Sequence, residues 1–199
     1  MSTMLPSSPK GPLFIVSGPS GSGKSTVIAR LLGDPELKLH LSVSATTRRH
    51  RPGEKDGVHY HFWTRERFEK DRAAGKLLEW AEVHGSLYGT LKEEVDPYRD
   101  KGVGVILDID VQGRKQVCQQ SPDAMSIFLM TSVPAAYEER LRKRGTESEE
   151  SIQRRLEGAR RELAEAGNYE YQIRNDDLDS AVADLRAIVR RHFFEVEHA

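Results

Sequence analysis

Apolar residues along this chain fall into short runs separated by glycine-rich turns, and the runs follow two different periods. Leu13-Phe14-Ile15-Val16 is a continuous apolar run that stops at a Gly/Ser-rich turn, after which Val27, Ile28, Leu31 and Leu32 recur at helical spacing as far as Gly33. That order predicts strand, loop, helix. Val103 to Ile109 and Ser126 to Met130 read as further buried strands, and Pro134 to Lys143 as a helix opened by proline and stopped at Gly145. Thr146 and Glu149 have capping-box spacing, with Ile152, Leu156, Ala159 and Leu163 as the buried stripe of the helix behind them. Arg155 flanks that stripe, whereas Arg154 points away from it. Leu178, Val182, Leu185, Val189 and Phe193 make the stripe of a last helix. Helices between buried strands predict an α/β fold, a parallel sheet covered on both faces.

The stretch from about 42 to 101 has a different texture. Short alternating runs, Val58 to Trp63 and Leu77 to Val83, sit among glycine turns and two modest helices, so it reads as a lobe inserted into a core of residues 11–41 and 102–195. Thr90 and Glu93 resemble a capping box, but Pro97 would interrupt the helix they should start; a kink, or a restart with Asp96 as cap, is expected. Residues 1–10, rich in Ser and Pro, read as a disordered tail.

Composition excludes some classes of function. The 30 Lys+Arg and 31 Asp+Glu leave a net charge of −1 across 199 residues, unlike a globally basic nucleic-acid binder. The longest apolar runs fall far short of the roughly 20 residues of a membrane span, and the tail lacks the apolar centre of a secretory signal. The single cysteine, Cys118, forms no internal disulfide and fits a reducing cytosol. A cytoplasmic protein is expected, with Cys118 a structural or surface thiol.

Gly18-Pro19-Ser20-Gly21-Ser22-Gly23-Lys24-Ser25 matches the Walker A pattern and lies between a strand and a helix. In that position successive backbone N–H groups and the positive helix end can wrap a phosphate, Lys24 can reach its outer oxygens, and the Ser25 hydroxyl can ligate Mg²⁺. The core then becomes a P-loop NTPase-type sheet flanked by helices. Val103 to Asp108 has the form of a strand ending in a metal-holding carboxylate. Asp110 could assist Asp108, or either could cap the Gln112-Gly113 turn.

A phosphate loop alone does not identify the second substrate. Ser44 to Glu54 carries closely spaced guanidiniums, Arg48, Arg49 and Arg51, in a turn-forming segment followed by Tyr60, an arrangement suited to a phosphate monoester. His59 and His61, two apart, could suggest a metal pair, yet no third ligand stands at suitable spacing and exposed imidazoles are the plainer reading.

With Glu79-Trp80, Tyr88-Gly89-Thr90, Leu107 to Asp110 with Gln112-Gly113, Arg144-Gly145-Thr146 and Asn175-Asp176-Asp177, the chain resembles the guanylate kinases from about Gly11 to near its C-terminus. The resemblance implies a kinase moving the γ-phosphoryl of ATP to GMP, and to dGMP, with Mg²⁺ as cofactor. GMP and ATP are then the partners, and no nucleic acid, membrane or obligate protein partner is implied. It makes the inserted lobe a GMP-binding lobe and residues about 140–165 a helical lid. Arg48, Arg51, Tyr60 and Tyr88 would grip the GMP phosphate; Ser44, Glu79 and Thr90 would read guanine, with Asp108 beside them. Arg144 and Arg155 match phosphate-binding positions of the lid, Arg140 is a further candidate, and the adenine side maps near Asn175. The chemistry agrees: guanine presents donors at N1 and N2 that a carboxylate can accept, whereas adenine sets a ring acceptor against it. A scaffold-type binding module of the same fold is the rival reading, as is a kinase for another base.

Overall fold

The computed structural model describes residues 10–83, 85–143 and 149–195. The expected tail apart from Lys10, together with Arg144 and Thr146, lies outside them. In chain order the strands are β1 (Leu13–Ser17), β2 (Leu39–Leu41), β3 (Ala45–Thr46), β4 (His61–Phe62), β5 (Leu77–Val83), β6 (Ser86–Leu91), β7 (Gly104–Asp108), β8 (Met125–Met130) and β9 (Tyr171–Arg174). The helices are α1 (Lys24–Leu32), α2 (Arg65–Ala73), α3 (Asp96–Arg99), α4 (Val111–Gln120), α5 (Pro134–Lys143), α6 (Glu149–Ala164) and α7 (Leu178–Glu195).

The apolar run of β1 is buried throughout because it is the middle strand of a five-stranded sheet, ordered β2-β7-β1-β8-β9. Every pairing in it is parallel, as an α/β alternation requires. Alternate side chains serve opposite faces. Phe14 and Val16 join Val27, Ile28, Leu31, Leu185 and Val189 in one core, and Leu13 and Ile15 join Val105, Leu107, Val117 and Leu78 in the other. The first core is closed by α1 and α7; the second is closed by α4 and reaches β5.

Residues between β2 and β7 build a second sheet, ordered β4-β3-β6-β5 among the described residues. It packs α2 through Trp63, Phe68, Leu77, Leu87 and Leu91. Two expectations fail here. Of the strand expected over Val58 to Trp63 only His61–Phe62 forms a strand, Tyr60 makes an isolated bridge with Asp56, and Val58 stands 64% exposed in a turn. Thr90 caps no helix: it lies inside β6, and a short 3₁₀ turn at Lys92–Glu94 precedes α3, whose N-cap is Val95 with Asp96 and Pro97 in the first turn. Thr90's hydroxyl is engaged instead by a buried carboxylate across the sheet. Among the described residues no helix is long and apolar enough to cross a membrane.

Candidate active site

The chain leaves β1 at Gly18 with φ +147°. A Cβ there would stand 2.0 Å from the Leu129 carbonyl oxygen of β8, so only glycine lets the loop pass that strand. The loop then turns on a Ser22 N–H to Pro19 carbonyl bond of 3.0 Å and enters α1 at Lys24. The positive end of α1 therefore stands at the carboxyl edge of the sheet, just beyond the end of β1. Three side chains gather on this loop. The Lys24 ammonium donates to the Gly18 carbonyl, Asn175 Nδ2 donates to the Ser22 carbonyl at 2.7 Å, and Arg155 Nη1 of α6 donates to Ser20 Oγ at 2.9 Å. Asn175 is buried, so its amide props the loop from beneath. Ser25 is exposed at the start of α1.

Asp108 ends β7 in register with Val16 of β1, beside the mouth of the loop. Burial pushes its carboxyl upward and the Lys24 ammonium pulls it back. Asp110 resolves its two readings: it is the N-cap of α4, its Oδ1 accepting from the Gln112 and Gly113 N–H groups at 3.0 and 2.8 Å.

Across from the loop, the second sheet supplies another cradle. Arg48 follows β3 and lies over the rings of Tyr60 and Phe62, 5.5 and 5.7 Å from their centroids. Its fork pairs with Glu54 through Nη1–Oε2 at 3.0 Å and Nη2–Oε1 at 2.8 Å, and Glu54 also accepts the Arg51 N–H at 2.6 Å. That pairing holds the Glu54 carboxyl down at about 2 and raises Arg48 above its ordinary range. Tyr60 and Tyr88 meet edge to face, centroids 5.9 Å apart. Burial first, then the negative charge of Asp108, pushes the Tyr60 phenol up to about 12. Tyr60 is thus within electrostatic reach of the carboxylate that ends β7 beside the phosphate loop.

Glu79 of β5 is 4% exposed. The Thr90 hydroxyl of β6 donates to its Oε1 at 2.7 Å. Burial pushes its carboxyl up to about 7; the Thr90 bond opposes this and the nearby Asp110 charge adds to it. Ser44 lies on the approach to β3, its carbonyl accepting the His61 N–H at 2.9 Å.

Not every expected residue converges. Arg51 is exposed and enters the local network through its backbone. Arg140 lies on α5, where only its backbone is described, and Arg144 is outside the described residues. Arg49 is exposed. His59 and His61 do not share a strand face: His59 sits in a turn, its Nδ1 accepting the Lys55 N–H at 3.0 Å, and His61 Nε2 stands 3.3 Å from Glu94. Among the described residues no group of three His, Cys, Asp or Glu could hold a metal. Cys118 packs half-buried against the second core, and burial raises its thiol.

Sequence reasoning missed two acidic residues here. Glu54 is the partner of Arg48, and only its place three residues beyond Arg51 hinted at it. Glu162, next to the stripe residue Leu163 on α6, is pushed up to about 7 by burial, with the Lys24 ammonium opposing and Asp110 and Asp108 adding.

Residues 10–192 match the sequence model of the guanylate kinase family. The chain is 47% identical over 182 residues to the guanylate kinase of Vibrio vulnificus strain YJ016, covering 91% of this chain and 88% of that one. To the guanylate kinase of Symbiobacterium thermophilum it is 48% identical over 185 residues, 93% and 87% of the two chains. The crystal structure of guanylate kinase from Anaplasma phagocytophilum superposes with a TM-score of 0.77 at 32% identity, covering 92% of this chain and 86% of that one. With a phosphate loop at the carboxyl edge of a parallel sheet, and matches of this extent, this chain belongs to the guanylate kinase family.

Proposed function

We propose that this protein transfers the γ-phosphoryl group of ATP to GMP, and to dGMP, giving ADP and the corresponding diphosphate. The observation that carries this reading is the phosphate loop with Lys24 and Arg155 bonded onto it, beside a separate Arg48–Tyr60–Tyr88 cluster, in a chain of this family. A GMP phosphate oxygen attacks the γ-phosphorus, the bond from that phosphorus to the β–γ bridging oxygen breaks, and ADP leaves. The attacking oxygen is already anionic, so no strong general base is needed. The protein's work is to bring two polyanions in line and to oppose the charge that spreads over the group in transit.

In this reading Gly18 to Ser25 wrap the ATP phosphates and Lys24 leaves the Gly18 carbonyl to reach the transferred group. Arg155 and Arg144 close over it from the lid, Arg140 and Asn175 serve the ATP side, and both lobes move on binding. Arg48, Arg51, Tyr60 and Tyr88 hold the GMP phosphate, with Arg48 exchanging its fork from Glu54 to the phosphate. Ser44, Glu79 and Thr90 read guanine, with Asp108 alongside. The exposed Ser25 hydroxyl and the Asp108 carboxylate are hard oxygen donors beside the loop, so they fit Mg²⁺ and would hold it. Bound there, Mg²⁺ supplies positive charge against the phosphate oxygens.

A coupled assay for ADP release with GMP, dGMP, AMP, CMP and UMP tests the reading. Rapid turnover with GMP and dGMP and at least about 10³-fold less with the others is expected; comparable turnover with AMP would overturn it.

A further inference from the structure

We propose that helix α4 sets the depth of the base-reading carboxylate: Gly113 leaves the space in which Glu79 stands, while Gln116 and Gln120 pin the strand on either side of it. The proposal rests on the reading of Glu79 given above, and it makes these three α4 residues positioning residues for acceptor choice.

β5 is the edge strand of the second sheet. Glu79 turns inward, in register with Thr90 of β6, while the neighbouring residues offer backbone groups to the open side, which an edge strand must cover or pair. α4 covers them. Gln116 Oε1 accepts the Trp80 N–H at 3.3 Å, and Gln116 Nε2 donates to the Trp80 carbonyl at 2.7 Å. One turn further on, Gln120 Nε2 donates to the Leu78 carbonyl at 2.7 Å. A primary amide carries both a donor and an acceptor, so Gln116 does for Trp80 what a neighbouring strand would do. Residues 78 and 80 are thereby tied to a helix of the core, and the Leu78 side chain enters the same core cluster as Val117 of α4.

The first turn of α4 brings Gly113 against the carboxylate itself. A Cβ at position 113 would stand 2.5 Å from Glu79 Oε2 and 3.0 Å from its Cδ, with Ile109 Cδ1 behind at 3.3 Å. The turn cannot retreat easily, because the Gly113 N–H is held by the Asp110 cap at 2.8 Å. Nor can the carboxylate move without cost, since its other oxygen accepts from Thr90 at 2.7 Å. Glu79 therefore stands between a hydroxyl and a bare backbone, and a methyl group at 113 would push it out of the line in which it spans N1–H and N2–H of guanine. IMP lacks the 2-amino group, so the ratio of GMP to IMP turnover reports that alignment directly.

The test measures kcat and KM for GMP and IMP at saturating ATP in the full-length wild type, Gly113→Ala, Gln116→Leu and Glu79→Gln, with folding followed by circular dichroism and thermal midpoint. Gly113→Ala and Gln116→Leu are expected to raise the GMP KM about 10-fold, to lower the GMP/IMP preference about 10-fold, and to leave kcat and the ATP KM within about twofold. In Glu79→Asp with Gly113→Ala the shorter acid makes room for the methyl, so the combined loss should be smaller than the product of the two single losses. If Gly113→Ala does not fold, Gln116→Leu decides. Folded Gly113→Ala and Gln116→Leu enzymes with wild-type GMP KM and GMP/IMP preference would overturn the proposal, as would equal losses toward GMP, IMP and ATP. In either case a selective loss in Glu79→Gln keeps the reading of Glu79 standing. Unchanged GMP kinetics in Glu79→Gln would remove that reading, and the proposal with it.

Discussion

Glu79 is placed where ionisation is costly, and the base recognition proposed for it requires that ionisation. Burial pushes its carboxyl up to about 7, with Asp110 adding to the effect and Thr90 opposing it. A neutral acid cannot accept both N1–H and N2–H, so kcat/KM for GMP should fall about tenfold per pH unit below pH 7. That decline should vanish in Glu79→Gln, whose acceptor efficiency is low throughout. Stability moves the other way. The folded-state value lies above the ordinary 4.5, so the group's stabilising contribution is complete below that ordinary value and is lost as pH rises through about 7. At pH 8 Glu79→Gln should therefore be more stable than wild type by roughly 3 kcal/mol, read by denaturant unfolding; equal stability at pH 8 would show that the buried charge carries no such penalty. Lys24 presents a simpler case. Among the described residues its ammonium bonds the Gly18 carbonyl within its own loop, so Lys24→Ala should fold with a near wild-type thermal midpoint and lose at least about 10²-fold in kcat. Full GMP-dependent turnover in that variant would exclude the role assigned to it.

At the scale of elements, α6 is tied to the phosphate loop through Arg155 and Ser20. Arg155→Ala should lower kcat by about 10²–10³-fold and move the thermal midpoint by no more than about 2 °C; a large fall in midpoint with kcat unchanged would make Arg155 a strut instead. Elements were legible in the sequence wherever burial produced a long, regular pattern. β1, β7 and β8 are continuous apolar runs because both sheet faces are covered, and α5 begins at Pro134 as its proline predicts. β2 and β9 escaped because they are the short edge strands of the same sheet, three and four residues long, with too few buried positions to show a period. Thr90 and Glu93 misled for a different reason. Their spacing is right for a cap, but the Thr90 hydroxyl is committed to a carboxylate eleven residues away in sequence and adjacent across two strands, and no local pattern records such a pairing. The role of Glu54 was hidden in the same way: a carboxylate in an arginine-rich turn reads as solvated until the arginine is seen to fold back onto it.

For the whole molecule, the decisive property is that charges on two separately built sheets influence one another. Asp108 of the core raises the Tyr60 phenol of the second sheet. Lys24 of the phosphate loop acts on both Asp108 and Glu162 of α6, and in the proposed function loop, α6 and acceptor cradle act on one pair of substrates. The near-zero net charge is no obstacle, since Lys24 and Arg155 meet at the phosphate loop whatever the overall balance. Calorimetric binding of a single molecule in which adenosine and guanosine are joined through five phosphates tests this arrangement most directly. The account predicts binding at least about 10²-fold tighter than ATP or GMP alone, with most of that gain lost in Lys24→Ala and, separately, in Arg48→Ala. Affinity no better than that of ATP, and indifferent to Arg48→Ala, would mean that the two cradles do not serve one reaction.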